Sequence, residues 1–168
     1  MIVATHLIVS LLLIQFLHLD RNDAFIALLF GVFIDFDHLM GLGKYAKANG
    51  FRSVFDFHSL MNPAGHWKSM FHNPVALAFV GPLSVASRFA IPLIFWGVHM
   101  AMDFVETNYL GPLSSPEAVF LGLATCALVA LRYASYLQSC SSATLTQYFR
   151  MEWEGLLETF RFKARPQF

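Results

Sequence analysis

Long runs of apolar residues, separated by short polar stretches, most restrict what this chain can fold into. Five such runs cover residues 2–19, 24–43, 74–86, 89–105 and 117–137. About 20 apolar residues in a helix cross the hydrocarbon of a bilayer, because a helix bonds its own backbone polar groups. The third run is too short to cross straight at about 1.5 Å per residue, so we expect it to be shielded, broken or incomplete. The sequence therefore predicts an all-α polytopic membrane helical bundle of about five spans.

The composition agrees with a membrane protein and argues against several other classes. Of the 168 residues, 57% are hydrophobic and 13% are charged, against roughly 25% charged in a soluble domain. The 11 basic and 11 acidic residues cancel, so no net field attracts nucleic acid. The first run lacks a basic segment and a small-residue cleavage site, and we expect it to be a retained span. The predicted location is a cell or cytoplasmic membrane, crossed several times, with the lipid bilayer as partner and no nucleic acid.

The end of the chain has a different pattern from the apolar runs. We divide the chain into a transmembrane domain, residues 1–137, and a C-terminal segment, residues 138–168. Between residues 141 and 161, large apolar side chains recur at helical spacing among charged ones. These apolar side chains are Leu145, Tyr148, Phe149, Trp153, Leu156, Leu157 and Phe160. The segment is predicted to be an amphipathic helix that lies on the membrane surface or binds a membrane-protein partner.

Histidines and carboxylates stand near the ends of the apolar runs, where each is a candidate for function because an ionisable group inside a membrane is costly. The candidates are His6 in the first run, Asp35, Asp37 and His38 at the end of the second, His66 and His72 in the polar connection, and His99 and Asp103 in the last turns of the fourth. If five spans alternate in direction, all of these residues fall on one side of the membrane. His18 falls on the opposite side, and His18 and His58 are expected to be interfacial or hydrogen-bonded residues.

The spacing of these side chains predicts a metal site. His99 and Asp103 are four residues apart and share one helix face, and Asp35 and His38 are three apart and share another. Asp37 points elsewhere unless the helix end unwinds. Imidazole nitrogens and carboxylate oxygens together suit zinc or a similar divalent metal, although a carboxylate beside a ligand histidine can instead orient its ring. We therefore expect a divalent metal, zinc, as the cofactor.

The order of these motifs resembles that of a known family. After His6, residues 31–38 read GVFIDFDH, residues 66–73 read HWKSMFHN and residues 99–103 read HMAMD. This order, over about residues 1–107, resembles the YdjM-like family of membrane-bound metal-dependent hydrolases, which are thought to be distant relatives of zinc-dependent phospholipase C. Ile34 stands where the family prefers proline. The third motif has one more residue between its histidines than the family pattern, and Asn73 replaces a serine.

The resemblance implies an enzyme with its metal at the membrane interface. A metal-activated water would attack a phosphoester, such as a lipid headgroup. Either Asp35 or Asp37 would act as general base while the other binds metal. The metal ligands that the resemblance implies are His6, Asp35, His38, His66, His72, His99 and Asp103.

Two other functions remain open from the sequence. A non-catalytic, metal-stabilised accessory subunit of a larger membrane complex agrees with the altered third motif and with the amphipathic tail. A haem-binding membrane protein would use His6 and His99 as axial ligands from different spans, but haem does not require the neighbouring carboxylates.

Overall fold

The fold is helical throughout the part of the chain that the computed structural model describes, which is residues 3–36, 46–50, 52, 70–72, 74–86, 90–111, 114–140, 142 and 144–162. No strand occurs over these residues, so the predicted all-α class is confirmed. The main helices are, in chain order, α1 (Val3–Phe16), α2 (Arg21–Gly31), α3 (Leu77–Ala86), α4 (Ile91–Val105), α5 (Ser115–Ser139) and α6 (Leu145–Phe162). Short 3-10 turns at Phe33–Phe36, Met70–His72 and Pro74–Ala76, and a π-helical turn at Glu106–Leu110, extend or join them.

A tight junction joins α1 to α2. His18 has a left-handed backbone conformation (φ 50°) in the turn after α1. Asp20 then caps α2, because its side-chain oxygen accepts the backbone N–H groups of Asn22 at 2.8 Å and Asp23 at 2.9 Å. A carboxylate at this position satisfies donors that the helix itself leaves unpaired. The polar stretch after the first apolar run therefore ends one helix and starts the next, and the two helices pack against each other.

The chain divides into two compact units, Met1–Thr125 and Cys126–Phe168, with the division inside α5. In the first unit, α4 packs against α1, α2 and α3. One cluster of buried apolar side chains consists of Ile34, Ala76, Val80 and Trp96, and a second consists of Ala27, Ile91 and Phe95. Both clusters include residues of α4, so this helix is the common support for the segments around it.

Gly31, the last residue of α2, lets three helices approach one another closely. A Cβ atom at this position would lie 2.4 Å from Oγ of Ser10 on α1 and 3.2 Å from Cδ1 of Phe95 on α4. The first distance is far below van der Waals contact, so a side chain here requires the Ser10 hydroxyl to rotate away or α1 or α2 to move. The lack of a side chain at Gly31 therefore sets the separation of α1, α2 and α4.

Helix α5 is, among the described residues, the one helix long and apolar enough to cross a bilayer. It has 25 residues, and apolar side chains such as Val119, Phe120 and Leu123 are exposed along it. The apolar helices Val3–Phe16 and Pro74–Ala86 are shorter. By length and composition, the part of the chain that the structure describes has one candidate membrane span, and the five predicted crossings stay a prediction.

The second unit contains α6, a helix within the segment for which the sequence predicts an amphipathic helix. A reciprocal cap starts this helix: the Thr144 N–H donates to Oε1 of Gln147 at 2.8 Å, and the Gln147 N–H donates to Oγ1 of Thr144 at 3.4 Å. Tyr148 is buried and its ring packs on those of Tyr133 and Tyr136 from the end of α5. Whether α6 lies on a membrane or binds a partner stays a prediction.

Candidate metal centre

Four ionisable side chains from three segments of the first unit meet at one point. Asp35 lies on the 3-10 turn that follows α2, and His72 lies on the turn Met70–His72. His99 and Asp103 lie one turn apart on α4. One ligand atom from each of the four side chains lies within 4.8 Å of the other three. These side chains can therefore bind a metal ion.

The separations of the ligand atoms match a small coordination sphere. The Nε2 atoms of His72 and His99 are 3.0 Å apart. From His72 Nε2, the distances to Asp35 Oδ1 and Asp103 Oδ2 are 3.3 and 3.4 Å. From His99 Nε2, both corresponding distances are 3.3 Å. Zinc bonds of about 2.0–2.1 Å in a tetrahedron place neighbouring ligand atoms about 3.3–3.4 Å apart. These five separations are therefore close to those that a tetrahedral zinc site needs.

A change of helix type places Asp35 in this cluster. The second apolar run predicts a helix over residues 24–43, but the α-helix ends at Gly31 and Val32 leaves the helical conformation. Residues Phe33–Phe36 then form a 3-10 turn. A 3-10 helix has about 3.0 residues per turn and an α-helix 3.6. The direction of the Asp35 side chain therefore differs from the one that α-helical spacing predicts.

Hydrogen bonds to backbone carbonyls support the two histidines of the cluster. Nδ1 of His99 donates to the carbonyl oxygen of Gly31 at 3.1 Å. This bond places the proton on Nδ1 and leaves the lone pair of Nε2 facing the other ligand atoms. The indole N–H of Trp96 donates to the carbonyl oxygen of Phe71 at 2.9 Å. The end of α2 therefore orients His99 through the Gly31 carbonyl. Helix α4 holds the backbone beside His72 through Trp96.

A third histidine, His6 of α1, completes the cluster. Its Nδ1 lies 3.1 Å from Asp35 Oδ2, and its Nε2 lies 3.2 Å from Asp103 Oδ1. The centroids of the His6 and His99 rings are 4.0 Å apart. The imidazole of His6 therefore contacts both carboxylates and packs against one of the other histidines.

The cluster has a buried side and a more accessible side. The side chains of His6 and His99 are fully buried, whereas those of Asp35 and Asp103 are 15% and 25% exposed. Buried ionisable groups are costly unless they are paired, and each histidine here has a carboxylate partner. The carboxylates are therefore the more exposed members of the cluster, and the two histidines His6 and His99 the more buried ones.

The predicted site residues fall into two groups. The structure brings together His6, Asp35, His72, His99 and Asp103. Asp37, His38 and His66 lie outside the described residues, and so does His58. His18 lies beyond the far end of α1 from the cluster, roughly 18 Å along the helix axis at 1.5 Å per residue.

Glu117 is a buried carboxylate at the start of the fifth apolar run, and it is not among the site residues that the sequence predicts. Its side chain is 1% exposed, and its Oε1 accepts the hydroxyl hydrogen of Thr5, the neighbour of His6, at 3.1 Å. The Glu117 backbone N–H donates to Oγ of Ser114 at 3.3 Å. Serine followed three residues later by glutamate is a signal for a helix start, but it does not predict that the glutamate is buried. Glu117 joins the start of α5 to α1 within the first unit.

Replacing Glu117 with alanine is expected to lower the free energy of unfolding of the first unit by about 1–3 kcal/mol, because the buried Thr5 hydroxyl loses its acceptor. Glu117→Gln keeps an acceptor oxygen and should lose less. Thermal unfolding in detergent, followed by circular dichroism, measures both variants. Glu154→Ala is the control, because Glu154 pairs with Arg150 on the exposed face of α6 and such pairs contribute about 0–1 kcal/mol. Equal losses for Glu117→Ala and Glu154→Ala would contradict this role of Glu117.

Comparison with known proteins leaves the function to be inferred from this geometry. The resemblance to the YdjM-like hydrolases stays a prediction that rests on the sequence motifs. No protein-family model, curated protein or solved structure matches the chain.

Proposed function

We propose that this chain is an integral membrane protein, crossing the membrane several times, that uses zinc to hydrolyse a phosphoester. The observation that carries the proposal is that the Nε2 atoms of His72 and His99 lie 3.0 Å from each other and 3.3–3.4 Å from one oxygen each of Asp35 and Asp103. Two imidazoles and two carboxylates favour zinc over magnesium or calcium, which prefer oxygen ligands. Zinc in such a site supplies an activated water and stabilises charge on a phosphoryl oxygen. The choice of a phosphoester follows the resemblance to the YdjM-like family.

The side chains of the cluster have different roles in this proposal. His72 and His99 bind the metal through Nε2, and Asp103 binds it through Oδ2. Both oxygens of Asp35 already contact histidine nitrogens, Oδ1 those of His72 and His99 and Oδ2 that of His6. This favours Asp35 as a metal ligand and leaves the general base to Asp37, which would accept a proton from the attacking water.

The membrane location is supported by the apolar surface of the helices. Helix α5 has the length and hydropathy of a span, and large apolar side chains such as Phe16, Phe79 and Leu83 are exposed on the shorter helices. Lipid tolerates exposed apolar surface that water does not. The cluster includes residues from the start of α1 and the end of α4, as expected for a site near one membrane face. A site at that depth suits a lipid headgroup as the phosphoester.

A second candidate function is a metal-stabilised accessory subunit without catalysis. One observation favours it: four protein side chains each offer a ligand atom at the same point, the number found in structural zinc sites, whereas catalytic sites keep one position open. The partial exposure of Asp35 and Asp103 favours catalysis, because a bound metal can gain a fifth ligand from that side.

The haem alternative does not fit the cluster. Axial histidines hold the haem iron from opposite faces of the macrocycle, but the His6 and His99 rings, with centroids 4.0 Å apart, are in direct contact. No macrocycle fits between them.

Zinc-dependent hydrolysis by the detergent-purified protein tests the proposal. We expect stoichiometric zinc by elemental analysis and hydrolysis of p-nitrophenyl phosphorylcholine or of phospholipid vesicles. EDTA should remove the activity and added zinc should restore it. His99→Ala and Asp103→Asn should lower the rate by about 100-fold or more, the scale of losing a catalytic interaction.

The control for these variants is Glu154→Ala, on the exposed face of α6, which should keep the wild-type rate. Stoichiometric zinc with no hydrolysis of either class of phosphoester would contradict the enzyme and support the accessory subunit. Hydrolysis of the vesicles but not of the small ester would assign the substrate to the lipid headgroup.

A further inference from the structure

The two carboxylates of the metal centre divide their oxygens between two sets of histidines. Asp35 Oδ1 and Asp103 Oδ2 face the Nε2 atoms of His72 and His99 at 3.3–3.4 Å. The remaining oxygens, Asp35 Oδ2 and Asp103 Oδ1, face His6 at 3.1 and 3.2 Å. We call the first pair the inner oxygens and the second pair the outer oxygens. His6 therefore contacts the outer oxygens, whereas His72 and His99 contact the inner ones.

The geometry of an imidazole ring limits what His6 can bind. Its two nitrogens point away from each other, so one ring cannot direct both at the same metal ion. In this structure both nitrogens are directed at carboxylates, one at Asp35 and one at Asp103. If His6 bound the metal that the inner oxygens share, one of these two contacts would have to break.

The burial of His6 makes both of these contacts important. The His6 side chain is fully buried. Burying an imidazole nitrogen without a partner costs about 1–3 kcal/mol. Nδ1 makes a hydrogen-bond contact with Asp35. Nε2 has no aligned hydrogen-bond partner among the described residues, and it faces Asp103 Oδ1 at 3.2 Å. Asp103 Oδ1 is therefore the polar atom that the second nitrogen faces.

We propose that His6 is a positioning residue outside the coordination sphere, which holds the outer oxygens of Asp35 and Asp103 so that their inner oxygens stay directed at the metal. The proposal rests on the zinc centre described under the proposed function, and it replaces the role of metal ligand that the sequence motifs imply for His6. Partners of this kind fix the orientation of the metal ligands, and their loss typically weakens metal affinity by about 10–100-fold. The same ring would hold one carboxylate from each of two segments, the turn after α2 and helix α4.

The test counts imidazoles on zinc and does not depend on catalysis. Zinc-loaded wild type, His6→Gln and His99→Gln are compared by zinc K-edge X-ray absorption, which reports the number of histidine ligands. We expect His6→Gln to keep the wild-type number of imidazoles and His99→Gln to lose one imidazole or the zinc itself. In a chelator competition, His6→Ala should bind zinc about 10–100-fold more weakly than wild type, and His6→Gln should recover part of this loss.

Three results would overturn the proposal. The first is loss of one imidazole in His6→Gln, because His6 would then be a ligand. The second is unchanged zinc affinity in a destabilised but folded His6→Ala, because His6 would then only fill space. The third is a wild-type protein that binds no zinc. A protein with the expected imidazole counts that hydrolyses no phosphoester would contradict the proposed enzyme and leave the role of His6 supported.

Discussion

Replacing His99 with alanine is expected to abolish stoichiometric zinc binding. The substitution removes a fully buried imidazole whose Nε2 contacts three other ligand atoms, those of Asp35, His72 and Asp103. It also leaves the carbonyl oxygen of Gly31 without its donor. Because His99 provides a ligand atom itself, its loss should weaken zinc binding by more than the roughly 100-fold upper range for partners of ligands. Chelator competition and elemental analysis of the purified variant measure the change.

Thermal unfolding gives a second measurement of the same prediction. A ligand that binds only the folded state stabilises it by about 4 kcal/mol at a thousand times its Kd, so zinc should raise the Tm of wild type and leave that of His99→Ala unchanged. His18→Asn is the matched control, because it removes a histidine at the far end of α1 and asparagine tolerates the left-handed conformation of that position. Wild-type zinc affinity in His99→Ala would mean that this cluster is not the metal centre.

Replacing Gly31 with alanine is expected to destabilise the first unit by about 1–3 kcal/mol, the usual range for an overpacked core. The new methyl group would overlap Ser10 Oγ and lie 3.2 Å from the ring of Phe95, so the Ser10 hydroxyl must rotate and the helices must separate to relieve the contact with Phe95. The carbonyl oxygen of Gly31 would move with its helix and weaken its hydrogen bond with His99. We therefore also expect weaker zinc binding, by about 10-fold or more. Thermal unfolding with and without zinc, together with chelator competition, measures both effects.

Two further variants separate the steric cause from general effects of alanine. Gly122→Ala is the control, because a Cβ at that position in α5 meets no atom within 4 Å and alanine favours a helix over glycine by about 1 kcal/mol. The double variant Gly31→Ala with Ser10→Ala removes the nearest clashing atom, and it should recover about 0.5–3 kcal/mol relative to the sum of the single variants. Additive effects of the two substitutions would contradict the close approach at Gly31.

The apolar runs and the places of the ionisable residues determine much of this protein before any packing is known. Most of residues 2–19 forms α1, and the amphipathic tail forms α6. An aspartate or histidine in apolar surroundings needs a partner, and helical spacing with alternating spans predicts that these residues gather at one end. The structure brings His6, Asp35 and the pair on α4 together as that pattern predicts.

Departures from regular helical spacing cannot be predicted from the periodicity of apolar residues. The α-helix that should carry Asp35 ends four residues earlier, at Gly31, and a 3-10 turn presents the carboxylate. The fifth apolar run begins at Glu117, and the structure buries this carboxylate against Thr5. In both cases the competing conformations differ by local hydrogen bonds and packing, and periodicity contains no information about either.

The sequence by itself therefore determined the helical class, the residue types of the candidate metal centre and the shared end at which several of them lie. The tertiary structure alone decided which atoms face one another. A period of 3.6 residues specifies the face of a helix, but it specifies neither the distance between two helices nor the rotation of an imidazole ring. Here that distance is set by the contact of Gly31 with Ser10 and Phe95. Metal binding requires each ligand atom to lie within a few tenths of an ångström of its coordination position. The packing of the helices, and not the spacing of the residues in the sequence, therefore brings His99 to the inner oxygens and His6 to the outer ones.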